Sequence, residues 1–264
     1  MKKFFLGVAL AVSTFLATDV HAHFQLVYSP QSNTEKAGVK PLKLLFWHPM
    51  ENGHVMDMGQ PEEFYYSFKG KKTDLTPSLK AVSFNGLHNK ANAYDGAVKL
   101  KRNGDYKLIL TPAPYYEESE DIYIQQITQT LINKGGVPTD WAEPLGLKTE
   151  ILPLNKPYGA VVGSSFSAIV LREGKPLPGV EVEIEHMVAE PDMVQNKPSN
   201  TKSSSIPGGA LSVISDANGK FTFAIPKAGY WGFAALGSGP DQEYQGKELS
   251  QDAVLWIKAH ELGE

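Results

Sequence analysis

Between Phe24 and Leu110, apolar residues come in short runs broken by Gly, Pro and Asn, as in Val39-Lys40-Pro41-Leu42-Lys43-Leu44-Leu45-Phe46-Trp47 and Gly104-Asp105-Tyr106-Lys107-Leu108-Ile109-Leu110. Runs of this length, separated by turn residues, predict short strands, and many short strands predict a β-sandwich. Phe64-Tyr65-Tyr66-Ser67-Phe68, ahead of Lys69-Gly70-Lys71-Lys72, adds an aromatic strand that stops at a charged turn. From Ser119 to Gly136 two periods compete. Ile124, Ile127 and Leu131 are helix-spaced, but the β-branched and aromatic content of the segment predicts a strand after a helical turn at Ser119-Glu120-Asp121. Val137 to Pro144, with a proline at each end, predicts an ordered loop.

Leu152-Pro153-Leu154-Asn155-Lys156-Pro157 separates two groups of strands. Beyond it, Phe166 to Leu171 leads through a Gly/Pro turn into Val180-Glu181-Val182-Glu183-Ile184, whose strict alternation predicts a half-buried strand. Ser215 to Phe223 reads as strand, tight turn and strand, with Gly219 suited to positive φ. Asn196 to Gly209, rich in Ser, Lys, Pro and Gly, is expected to be a mobile insertion. The pattern therefore predicts an all-β chain of two Ig-like β-sandwich domains in tandem, covering 23–152 and 153–264.

The first 22 residues follow a different pattern. Met1-Lys2-Lys3, the apolar run Phe4 to Leu16 and then Val20-His21-Ala22 read as a secretory signal peptide with small residues at −3 and −1. The apolar run is shorter than the roughly 20 residues a spanning helix needs, so no stable membrane insertion is expected after cleavage, and the mature chain is expected in the periplasm. The chain has no cysteine, which excludes thiolate metal sites and cysteine nucleophiles. Its net charge of −4 disfavours nucleic acid as a partner.

Cleavage after Ala22 would leave His23 at the amino terminus, offering an α-amine and an imidazole to one ion. Closing that local chelate restricts little chain entropy. Cleavage after Val20 would instead place a histidine third, a pattern suited to square-planar nickel or copper, but valine is a poor −1 residue. Trp47-His48-Pro49-Met50-Glu51-Asn52-Gly53-His54-Val55-Met56-Asp57-Met58 follows an aromatic-rich strand and gathers two imidazoles, three thioethers and carboxylates in one loop. The candidate metal ligands are His23, His48, His54, Met50 and Asp57, with Glu117 in the acidic Tyr115–Asp121 stretch as a further oxygen donor. The competing reading makes His48 a strand cap, His54 a solvated side chain, the methionines core filler and the acidic stretch a solvated loop. His186 continues the Val180, Val182, Ile184 face and reads as packing; His88 and His260 sit in a turn and a terminal strand. No Gly-x-Ser-x-Gly, His-Glu-x-x-His or phosphate-cradling loop is present.

Ala22-His23-Phe24, Trp47-His48-Pro49, Pro114-Tyr115-Tyr116-Glu117, Tyr123-Ile124-Gln125-Gln126, Gly146 to Leu154 and Lys227 to Gly232, in this order, resemble a domain-of-unknown-function family of periplasmic proteins found with nickel and cobalt uptake systems, typified by NikK-type components. The resemblance implies a soluble, non-catalytic periplasmic protein that binds Ni2+ or Co2+ and supplies an inner-membrane nickel/cobalt transporter. It carries over His23 and His48 and assigns no role to Tyr115 or Glu117. Gly174 to Gly179 and Asp216 to Phe221 also resemble carboxypeptidase-regulatory-like modules, which implies a scaffold or docking role for the second domain.

Copper is the chemical rival, since Cu2+ binds a given nitrogen/oxygen site more tightly than Ni2+ and methionines suit Cu(I). A histidine-brace copper monooxygenase is a different class of reading, and a metal-free adhesion or carbohydrate-binding module is a third.

Overall fold

A computed structural model describes residues 23–206 and 210–263; the expected signal peptide lies outside the described residues. The fold is all-β with sandwich packing, and its regular helical content among the described residues is a single 3-10 turn at Thr76–Ser78. Strands form where expected, including Ile122–Lys134, which follows a turn at 118–121.

The two sandwiches share one sheet. Its strands run in the order Leu211–Ile214, Glu181–His186, Gly229–Ala235, Lys247–His260, Ile122–Lys134, Gly104–Thr111, Glu63–Phe68 and Lys71–Asp74. The join is the parallel pairing of Ile122–Lys134 with Lys247–His260, from Tyr123 opposite Leu249 to Thr130 opposite Trp256. A second sheet, built on Phe24–Tyr28, Gly38–Trp47, Lys90–Leu100 and Lys80–Asn85, covers one face. A third, of Thr149–Pro153, Ser165–Arg172, Lys175–Pro176 and Lys220–Ala224, covers the other.

Alternation along single strands shows the two faces. On Lys247–His260, Ala253, Leu255 and Ile257 enter the core under the third sheet, while Val254 and Trp256 enter the core under the second. Coverage on both sides is why Ala253 to Ile257 read as an unbroken apolar run. Close approach is needed where the second sheet meets it: a Cβ on Gly232 would lie 2.7 Å from the Trp256 ring and 2.9 Å from Phe24.

Two expectations are corrected. The strand Glu181–His186 is not half-exposed, because Glu183 and Glu185 are buried like Val182 and Ile184; the turn that follows Trp47 meets Glu185, which accepts the Met50 amide, and Glu183 lines a cleft with His23, Glu120 and Asp252. Nor is the insertion after Asn196 a free loop over its described length. Ser204 donates its backbone N–H to the Met50 carbonyl at 3.0 Å, and Asn52 Nδ2 donates to the carbonyls of Asn200 and Lys202, each at 3.0 Å.

A candidate metal centre at a strand start

The Phe24–Tyr28 and Gly38–Trp47 strands pair antiparallel with Phe24 opposite Trp47. Continued by one rung, that register sets His23 opposite His48. Their imidazole rings lie 4.5 Å apart between centroids. The residue before a proline is biased towards extended backbone, so Pro49 favours His48 continuing the strand direction before the chain turns.

The backbone of His23 is held from the shared sheet. Gln126 Nε2 donates to the His23 carbonyl at 2.7 Å, and Gln126 Oε1 accepts the Gln25 amide at 2.7 Å. Gln126 sits in the shared-sheet strand Ile122–Lys134, beside the pairing with Lys247–His260. Sequence reasoning gave it no role, since its effect depends on a sheet contact 101 residues distant in the chain.

Glu117 reaches His23 from a third strand. Tyr115–Glu117 pairs with Ile122–Ile124, and Glu117 Oε2 stands 3.0 Å from His23 Nε2. Burial pushes the Glu117 carboxyl up, but hydrogen bonds from the Ser119 side chain and amide, with the neighbouring His23, outweigh it and hold the group below its usual value. It is therefore ionised at neutral pH. With Nε2 engaged by Glu117, the other ring nitrogen, Nδ1, is the one that can close a six-membered chelate with an α-amine on the same residue. A carboxylate on the far nitrogen is the usual companion of a metal-binding histidine, fixing its tautomer and raising its basicity.

His23, His48, His54, Asp57 and Glu117 line one half-open cavity of about 300 Å3, together with Met56, Asn89, Lys90 and Tyr115. His54 and Asp57 are exposed at its rim. The Asp57 carboxylate accepts the Asn92 amide at 2.7 Å, and the His54 ring lies 5.9 Å from that of His88. Asn89 pins the rim by exchanging hydrogen bonds with both backbone groups of Val55, at 2.9 and 2.7 Å. Met50 does not join them: it is buried away from the cavity, its amide turned to Glu185. Met58 is also buried, its sulfur accepting from Gln25 Nε2 at 3.4 Å. Of the three methionines, Met56 alone lines the cavity. Lys90 and Asn89 arrive on the Lys80–Leu100 hairpin, and no local signal in the sequence placed them here. Among the described residues, no three His, Asp or Glu side chains already stand as a set able to hold a metal ion.

Behind His23 lies a second cleft, lined also by Glu120, Glu183, Ser250 and Asp252. Burial, then the charges of Glu181, Asp252 and Glu120, push the Glu183 carboxyl up to about 7. Burial also raises Asp252, against hydrogen bonds from Ser250 and the Gly237 amide. A larger cavity, about 740 Å3, lies elsewhere, between the strap Ser199–Ser204 and the Lys227–Gly229 turn. Two of the polar groups there are paired: Tyr28 donates to Glu190 at 2.5 Å and His186 Nε2 meets the Ala228 carbonyl at 2.9 Å. His186 is thus a packed strand residue and His260, whose Nε2 meets the Tyr158 carbonyl at 3.2 Å, lies at the end of its strand. No described helix is long and apolar enough to cross a membrane.

The family described as Domain of unknown function (DUF4198) matches residues 20–239. No curated protein matches the sequence. Among solved structures, the adhesin InvE of Yersinia pseudotuberculosis is similar at 14% identity and a TM-score of 0.23, over 88% of this chain and 58% of that one. The N-terminal eight Ig domains of Down Syndrome Cell Adhesion Molecule are similar at 12% identity and a TM-score of 0.22, over 91% of this chain and 28% of that one. This chain thus spans less than two thirds of either. Both likenesses are distant, and nothing about activity follows from them.

Proposed function

We propose that this chain, which belongs to the domain-of-unknown-function family DUF4198, is an extracytoplasmic carrier of a divalent transition-metal ion, with Ni2+ or Co2+ as cargo and an inner-membrane transporter as recipient. The observation that carries the reading is the pairing of His23 with His48 across a strand start, with Glu117 on His23 Nε2. In this proposal the signal peptide ends at Ala22, and cleavage supplies the α-amine that completes the donor set. The amine and Nδ1 of His23 and the His48 imidazole then hold the cation, while His54 or Asp57 closes the open side. Glu117 acts through His23 as its hydrogen-bond partner. Nitrogen donors of this kind suit nickel, cobalt and copper and disfavour magnesium and calcium. The chain's part is binding, with no chemical step assigned to it.

Copper is the second reading, favoured by one observation: a thioether, Met56, lines the same cavity. The test compares protein whose first residue is verified as His23 with protein carrying one extra amino-terminal residue, each titrated with Ni2+, Co2+ and Cu2+ against a competing chelator. A loss of affinity in the extended protein, and in His48→Ala, is expected. Equal affinity in all three proteins overturns the proposal.

A further inference from the structure

The turn that carries His48 is held from the far half of the chain. Met50 donates its amide to Glu185 Oε2 at 3.0 Å, Val188 donates its amide to the Pro49 carbonyl at 3.2 Å, and the Asn200–Ser204 strap adds the contacts to Met50 and Asn52. These anchors differ in kind. The strap's Thr201–Ser205 are exposed, whereas Glu185 is 4% exposed and lies within the Glu181–His186 strand of the shared sheet. A carboxyl at a core position is a poor packing choice. Burial pushes it well above the usual carboxylate range, and the hydrogen bond it makes is to the amide two residues beyond His48. An apolar side chain of the same size would leave that buried amide without an acceptor.

We propose that Glu185 is a positioning residue for the metal centre: by fixing the Met50 amide it sets the direction in which His48 leaves the Gly38–Trp47 strand and keeps the imidazole opposite His23. The inference deepens the metal-carrier reading and rests on it for its consequence, though not for its geometry. It gives the second half of the chain a role at the site that the sequence assigned to the first half alone.

Glu185→Leu keeps the volume and removes the acceptor; Glu185→Gln keeps a neutral carbonyl acceptor. In full mature protein free of metal, the His48 ring resonances in a histidine-selective nitrogen-proton NMR spectrum are expected to shift or broaden in Glu185→Leu, with those of His260 unchanged, and to stay near wild type in Glu185→Gln. Ni2+ affinity by chelator competition should fall about 10–100-fold in the Leu variant, the range for a residue acting through a ligand, and by less than about threefold in the Gln variant. In a His48→Ala background Glu185→Leu should add no further loss. Unmoved His48 resonances, or an additive loss in that background, overturn the proposal. If the Leu variant does not fold, amide exchange at Met50 in the wild-type protein decides: strong protection supports the bond, and exchange at the rate of an exposed loop overturns it. Because the NMR and exchange readouts need no metal, failure of wild type to bind Ni2+ would sink the carrier reading and leave the positioning of His48 separately decided.

Discussion

Glu183 tests the shared sheet through a single charge. Its side chain is 9% exposed and looks into the cleft behind His23, where Glu120 and Asp252 also lie. Burial first, and the neighbouring carboxylates second, push it from an ordinary 4.5 up to about 7. Between those two values the folded protein keeps a proton that the unfolded chain has released, so the stability contributed by this group falls as pH rises through the window. The gap corresponds to about 3 kcal/mol once both states are fully ionised, and relaxation around the charge reduces it to about 1–3 kcal/mol. Glu183→Gln keeps the shape and removes the charge. Urea unfolding of both proteins at pH 4, 6 and 8 should show near-equal stability at pH 4, where both side chains are neutral, and a Gln variant more stable by about 1–3 kcal/mol at pH 8. All other titrating groups cancel in the difference to first order. A Gln variant that is no more stable than wild type at pH 8 refutes the reasoning, because it would mean that Glu183 ionises in the folded chain as freely as in water.

Glu117→Gln should weaken Ni2+ binding about 10–100-fold by losing the charged partner of His23 Nε2, less than the loss from His48→Ala; chelator competition on both variants checks the order. Metal affinity should decline from about pH 8 to 6, as an α-amine of ordinary pKa about 7.7–8.0 and imidazoles of about 6.5 take up protons, with more than one proton released per ion at the lower end. Calorimetry in buffers of different ionisation enthalpy reads this directly, and flat affinity from pH 8 to 5.5 rejects a histidine-centred site. Residues 23–152 and 153–264, expressed apart, should each fail to unfold cooperatively as a monomer, since the Ile122–Lys134 edge loses its partner Lys247–His260; co-expression should restore a soluble complex.

Local pattern made the strands legible. The alternation at Val180 to Ile184 and the apolar run ending at Trp47 both place strands where they occur, because side-chain period is a property of neighbouring residues. The metal candidates were legible as types, and the ladder with Phe24 opposite Trp47 explains why two of them, far apart in sequence, meet. Illegible were the facts that depend on distant pairing. Nothing near Glu183 or Glu185 announces that residues from the first half will lie against them, so alternation alone suggested a solvent face. Composition made the segment after Asn196 look mobile, yet backbone donors and acceptors in Ser204, Asn200 and Lys202 have fixed partners at Met50 and Asn52. Met50 stood beside His48 in the chain and is turned away from it in space, since the chain reverses after Pro49 and its amide is captured by Glu185.

The proposed centre would separate what selects a cation from what neutralises it. In the proposed centre the donors from His23 and His48 are neutral nitrogens, which discriminate for borderline transition metals and against magnesium or calcium but leave the ion's charge unbalanced. Negative charge comes from groups set around them: Glu117 on the far nitrogen of His23, Asp57 at the rim, and the cleft of Glu120, Glu183 and Asp252 on the other side of His23. A cation held at His23 would favour the ionised form of Glu183, the group the fold pushes up to about 7, and binding would then draw a proton from the shared sheet as well as from the donors themselves. Nitrogen donors alone rank copper above nickel and cobalt. If the cargo is nickel or cobalt, as proposed, selection would have to come from which ion reaches the chain and from which recipient takes the ion away, and the sheet-held backbones of His23 and of the paired Phe24 and Trp47 would lower the ordering cost of capture.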